Sequence, residues 1–246
     1  LWVYEEISYD RNFTNHNRIA RVVQNQTIDG QIQTWFGQAM QLAPELRNTY
    51  GNNFEHVVTA TFPGDFKLTH GEKTVTQSGS FMEPGITEML TLKMLSGTRA
   101  GLTSMNSILL SASAAKILFG QDDPLDEIIK VDNNVDVKVT GVYEDLPDNS
   151  SFSNLKVILP WQLVVKIGDF ENRVGWGNSW FQCFVQLTEH ADMNSASSNI
   201  KDGKLNGVKV NDGDVRFKPE LFLHPMSRWH LYSEFKNGVS VVGEIQ

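Results

Sequence analysis

Cysteine is almost absent from this 246-residue chain: Cys183 stands alone, so neither an intrachain disulfide nor a cysteine-based metal cluster can form. Low cysteine use leaves the compartment open, because extracytoplasmic proteins can do without disulfides. Also missing is any apolar run near the roughly 20 residues that a membrane helix needs, and no basic-then-apolar leader follows Leu1. Basic clusters are lacking too. With 21 Lys and Arg against 29 Asp and Glu the net charge is -8, which argues against nucleic acid as a partner, since that affinity depends on clustered cations. The expectation is a soluble folded piece of a larger protein, whose parent need not be soluble.

Catalytic apparatus is the next absence. His16, His56, His70, His190, His224 and His230 include no pair at the i, i+4 spacing of a helical zinc motif. No Gly-x-Ser-x-Gly elbow occurs. Ser113 and Lys116 satisfy Ser-x-x-Lys, but the Ser-Asp-Asn and Lys-Thr-Gly partners of that chemistry are missing, and the start of an amphipathic helix explains the same letters. Glu5, Glu6, Asp122, Asp123, Glu144, Asp145 and Asp148 fit no EF-hand spacing and read as solvated turns. Without a Gly-x-x-x-x-Gly-Lys loop, any ATP that drives this protein binds elsewhere. Catalytic, cofactor and metal residues are therefore all assigned as none, and no enzyme activity is expected.

What is present is a core-forming pattern. Apolar residues make up 40% and aromatics 10% of the chain, ordinary values for a globular protein. Arg18 to Gln26 is rich in β-branched residues and reads as a strand, turned by Asp29 and Gly30. Pro44, Leu46 and Tyr50 suit a short helix ended by Gly51, and Phe54 to Phe62 a second strand. Asp65 to Gly79 suggests a hairpin tipped by His70 and Gly71, and Glu88 to Leu95 a helix burying Met89, Leu92 and Leu95. Ile108 to Leu110 is a strand, Ser111 a helix cap, and Gly120 a left-handed exit. Val135, Val137 and Val139 alternate with polar residues in a hairpin strand, and Gly141 marks a bulge or close approach. The last third offers a strand at Trp180 to Thr188 with Cys183 buried, a helix from Asp192 to Leu205, and a strand at Val215 to Leu223. Trp161, Trp176, Trp180 and Trp229 fit core packing better than a sugar or peptide lining, and the sequons at Asn12, Asn25 and Asn149 carry no implication alone. Strand-helix-strand halves around a more β-rich middle give an α+β fold.

Four blocks, in order, carry a resemblance: EEISYDRNFTNHNRIARV (Glu5 to Val22, above all Glu6, Ser8, Tyr9, Asp10, Arg18, Ile19, Arg21 and Val22), Ser107 to Pro124, Val139 to Ser150, and His230 to Ser233. Together they resemble the MacB-like and FtsX-like ABC transporter permeases of the Bacteroidetes type. Ala20 departs from the family's usual tyrosine, and Asp126 from its usual glycine. The resemblance implies a periplasmic core domain of an inner-membrane protein, with a split porter-like βαβ subdomain and an inserted Sabre-like subdomain. On that basis residues 1–85 form the first porter-like half with a membrane-proximal stalk, 86–160 the insertion, and 161–246 the second half with a return stalk. Glu5, Glu6, Asp10, Arg11, Glu234 and Lys236 are expected to be polar stalk residues. The implied function is relay of ATP-driven conformational change to an envelope substrate or partner, as in efflux or mechanotransmission. Implied partners are a cytoplasmic ABC ATPase, a second permease copy or half, and a periplasmic adaptor, lipoprotein or cell-wall hydrolase, with no cofactor. The alternative from another class is a free-standing extracytoplasmic ligand-binding or adhesin module.

Overall fold

The computed structural model describes residues 8–173, 175–208 and 213–243. Glu5 and Glu6 lie outside them. Along the chain run β1 (Ile19–Ile28), β2 (Gln31–Trp35), α1 (Leu42–Tyr50), β3 (Phe54–Thr61), β4 (Gly64–His70) and β5 (Lys73–Met82). Then come α2 (Ile86–Met89), β6 (Met94–Gly97), β7 (Ser107–Ser111), α3 (Ala112–Phe119), β8 (Ile128–Val131), β9 (Val135–Tyr143) and β10 (Val157–Pro160). The return comprises α4 (Trp161–Gly168), α5 (Phe170–Arg173), β11 (Phe181–Leu187), α6 (Met193–Asn199), α7 (Gly203–Gly207), β12 (Glu220–Pro225), β13 (Glu234–Lys236) and β14 (Val239–Val241). The fold is α+β. Contacts divide it into two compact units, Leu1–Thr59 with Asn172–Gln246, and Ala60–Glu171.

The first unit is an open antiparallel sheet with β1 at its centre, between β12 on one edge and both β11 and β2 on the other. Asp29 and Gly30 both have positive φ, 50° and 78°, which gives the β1–β2 hairpin the twist that two-residue turns require. Alternation along β1 sorts its side chains onto two faces. Ala20 and Val22 join Cys183, Val185, Leu221 and Leu223 under α1 and Ala196 of α6. Arg21 and Val23 face the other way, alongside their register partners His224, Phe184 and Phe222. The outer edge of β12 is finished by the helical segment: the Leu221 N–H donates to Lys201 O at 2.8 Å, and the Leu223 N–H to Ser197 Oγ at 2.9 Å.

The second unit closes on itself. Pairings run β10–β7–β9–β8–β4–β5, and β5 pairs again with β10, so six strands form a ring with β6 appended to β9. Its interior holds Phe66, Leu68, Ile108, Leu110, Val137, Val139, Val157 and Leu159, together with Ala114, Leu118 and Phe119 of α3. Closure demands a close approach at the seam: a Cβ on Gly79 would lie 2.2 Å from Val157 O. Ser111 caps α3 by accepting the Ala114 N–H, and Gly120 leaves it at φ 68°, both as the sequence predicts. At Gly141 the expected bulge is present: Ile108 pairs with Val139 and Leu109 with Gly141, so Thr140 is skipped. A Cβ there would meet Met94 Cε at 2.7 Å and Leu109 Cδ2 at 2.9 Å.

Several local expectations change. Helix α2 stops at Met89 because Thr91 adopts φ 47° and Met94–Gly97 pairs with β9, which leaves Leu95 55% exposed instead of buried. Gly51 ends α1 as expected, at φ -54°, and leads into a 3-10 turn. The helix expected over Asp192 to Leu205 is two short ones, parted where Lys201 O turns to accept from β12. Before β12 lies a 3-10 turn over Gly213–Phe217, with Lys218 at φ 46° delaying the strand to Glu220. Of the residues expected to be polar and membrane-proximal, Asp10 is 1% exposed beside the buried Phe13, whereas Arg11, Glu234 and Lys236 are exposed. By contacts the compact units break within β3 and α5. Pairing explains the extent of the middle unit: β4 and β5 are needed to complete the ring through β8 and β10.

Candidate functional site

Arg21 occupies the face of the first unit's sheet opposite the helices. Its guanidinium carbon lies 4.9 Å from the Trp229 ring centroid, 5.2 Å from Phe36 and 5.5 Å from Phe184, so aromatic faces surround the cation. Burial lowers its pKa to about 10 against the opposing effect of the Asp10 carboxylate, which leaves it charged at neutral pH. Beside it on β12, His224 is 3% exposed. Burial, then the positive charges of Arg21 and Arg228, lower the His224 pKa to about 4, with a Tyr232 backbone hydrogen bond acting the other way. Trp229 is fixed by its Nε1–H donating to His224 O at 2.8 Å. Phe235 of β13 packs edge-on against Phe36 and His224, with centroids 5.6 and 5.2 Å away. From the other end of the chain, Tyr9 stacks on His230 at 3.9 Å with planes 5° apart. Two buried nitrogens in the group, Arg21 Nε and His224 Nε2, have no hydrogen-bond partner.

The second unit holds a different charged centre. Asp145 accepts from the Ser113 N–H at 2.8 Å, from the Ser113 hydroxyl at 2.6 Å and from Lys156 Nζ at 2.8 Å. Burial works to raise its pKa but is outweighed by these bonds, which hold it down to about 2. So weak a base cannot activate the Ser113 hydroxyl. Its place is structural, tying the start of α3 to the exit of β9 and the approach to β10. The neighbouring residues of the Val139 to Ser150 block act similarly. Tyr143 is fully buried and donates its hydroxyl to Leu155 O at 2.7 Å, and Ser150 is 0% exposed. Burial, helped by the Asp145 charge, pushes the Tyr143 pKa well above the usual phenol value. Asp126, where the resembling family has glycine, adopts φ 63° and pairs with Lys138 at 2.9 Å.

The remaining sequence candidates are dispersed. Lys116 and Asp122 line a shallow surface groove of about 360 Å³ beside Leu95, with the Ser113 hydroxyl turned to Asp145. Glu144 pairs with the exposed Lys93 at 2.8 Å. His16 bonds Phe13 O at 3.0 Å and His70 packs on Phe119 at 4.6 Å. Among the described residues no group of three or more His, Cys, Asp or Glu is placed to hold a metal. Cys183 is 1% exposed, Trp161 and Trp229 are buried, and Trp180 is 54% exposed. Asn25 of the second sequon lies within β1 and donates to Gly238 O at 3.1 Å. Sequence reasoning missed that Arg21, His224 and the fully buried Lys204 are interior. Lys204 donates to Gln24 Oε1 at 3.0 Å and Ser179 Oγ at 3.1 Å. Only the alternation of Arg21 with core-facing Ala20 and Val22 hinted at its face.

Among the described residues no helix is long and apolar enough to cross a membrane. Solved structures share the fold. A domain of a putative permease protein from Porphyromonas gingivalis superposes with a TM-score of 0.72 at 20% identity, covering 87% of this chain and 91% of that one. The periplasmic region of MacB from Actinobacillus actinomycetemcomitans gives 0.59 at 17% identity, covering 90% and 94%. The extracellular domain of the noncanonic ABC-type transporter YknZ from Gram-positive bacteria gives 0.54 at 16% identity, covering 83% and 99%. No curated protein matches the chain in sequence. The chain belongs to the family of MacB-like periplasmic core domains, whose profile matches residues 2–202. Membership makes it an extracytoplasmic domain of an ABC-type transporter permease, not itself the catalytic part, and implies an ATPase partner.

Proposed function

We propose that this domain relays ATP-driven conformational change across the membrane to an envelope substrate or partner, with ATP hydrolysed on a separate subunit or domain. The supporting observation is topological. Both ends of the chain build the first unit, whereas the second is made wholly from the middle of the sequence. Movement delivered through either end therefore loads the open sheet first, and the ring is carried as an inserted body. In this reading the first unit is the porter-like subdomain and the second the Sabre-like one. An adaptor, a lipoprotein or a cell-wall hydrolase would receive the motion.

Spin labels on exposed positions of the domain test this in the parent permease, reconstituted with its ATPase in liposomes. Distances from the label to lipid-surface labels should shift between the nucleotide-free and vanadate-trapped states, and should not shift with an ATPase unable to hydrolyse ATP. Identical distance distributions in all states would overturn the relay.

A further inference from the structure

We infer that the two ends of the described chain, residues 8–18 and 226–243, form a single clasp around Arg21 that opens and closes as one unit. Each end supplies part of the enclosure. From the N-terminal side come the Asp10 carboxylate, which acts on the Arg21 charge, and Tyr9, stacked on His230. The C-terminal side contributes Trp229 over the guanidinium and Phe235 against Phe36, Phe222 and His224. The 3-10 turns His16–Arg18 and Met226–Arg228 pack on one another, so the ends also touch away from Arg21. Beyond Phe235, Gly238 O accepts from Asn25 of β1, and a Cβ on Gly238 would lie 2.6 Å from Asn25 Nδ2.

Cooperativity follows from how the charge is held. Arg21 Nε and His224 Nε2 have no hydrogen-bond partner, so the cluster depends on ring faces and exclusion of water more than on directed bonds. Displacing either end admits water to the guanidinium, which then gains solvation and loses its reason to stay under the other end's rings. A pull on one end is thereby felt at the other. The use of this coupling in transport rests on the relay proposed above, but the coupling itself can be measured on the 246-residue chain alone.

Amide hydrogen exchange followed by NMR provides the test. Reporter amides are Phe13 and His16 at the N-terminal side, bonded to Asp10 O and Phe13 O, and Tyr232 and Gly243 at the C-terminal side, bonded to Arg228 O and Leu231 O. Tyr9→Ala should speed exchange at Gly243 and Tyr232 by about 10-fold or more, as well as at Phe13. Phe235→Ala should do the same at Phe13 and His16, with the ring amide of Asn134 unchanged in both variants. Changes confined to the mutated end overturn the clasp. Arg21→Met should speed both ends together. If it does not fold, the two end variants decide the matter unaided. Coupled exchange without nucleotide-dependent motion in the parent would remove the relay and keep the clasp. Motion with uncoupled exchange would do the reverse.

Discussion

In the ring of Ala60–Glu171, each of the six strands has a neighbour on both sides, and an aliphatic interior is filled by α3. In the sheet of the other unit, helices cover one face, but the opposite face is covered by the segments that enter and leave the domain. The charged centres follow the same division. Asp145 is held by three directed donors over 2.6–2.8 Å, a geometry that specifies one position. Arg21 is held by ring faces around 5 Å away, whose attraction changes slowly with displacement. The first kind of fastening fixes a shape; the second tolerates displacement.

The sharpest way to break the contrast is at the seam of the ring. Gly79→Ala places a Cβ 2.2 Å from Val157 O, against backbone that cannot swing aside. Forcing β5 from β10 should cost about 3 kcal/mol or more. Chemical denaturation should show a lower midpoint for Trp161, the ring unit's tryptophan, while Trp229 reports a smaller change. Equal loss at both probes would show that the ring is not self-contained.

An intermediate effect is expected in acid at the sheet. His224 is lowered from 6.5 to about 4, so the unfolded state takes up its proton first as pH falls, and stability decreases progressively between those values. The contribution is up to about 3 kcal/mol lost between pH 6.5 and 4. His224→Phe keeps a ring against Phe235 and removes the titration. Denaturation midpoints of the variant should be flatter than wild type over that window, and parallel curves would refute the assignment. Smallest is the change at Asp145, which is a third exposed in its side chain. Its lowered pKa makes its contribution full above about 3.8 and lost as pH falls through about 2. Asp145→Asn should cost about 1–2 kcal/mol at pH 7, and the difference from wild type should vanish near pH 2. A constant difference across pH would assign the loss to packing instead.

Much of the ring was legible from local chemistry. Ser111, Gly120 and Gly141 each serve a nearby backbone need, a cap, a positive φ and a bulge, which residue type alone can signal. Ring closure was not, because no local signal records that β5 will meet β10 across 75 or so residues of chain. The Arg21 centre was less legible still. A strand containing Arg21 and His224 reads as solvent-facing at those positions until the two chain ends are known to fold back over it. The short strands β2, β6, β13 and β14 went unread for a related reason: none of their residues is fully buried, so hydrophobic alternation is weak. The Val139 to Ser150 block, by contrast, was recognised by its letters, and the structure supplies their reasons in Gly141, Tyr143 and Asp145.

The finished edge of β12 has a bearing on how copies of this domain can meet. Exposed strand edges invite other chains to add on, a common route to aggregation. Here the outward N–H groups of Leu221 and Leu223 are already committed to Lys201 O and Ser197 Oγ. A second molecule arriving at that border finds its donors taken, so stacking of sheets edge to edge is blocked there. Any contact made at that border has to use side chains, which can be selective, and not these backbone donors.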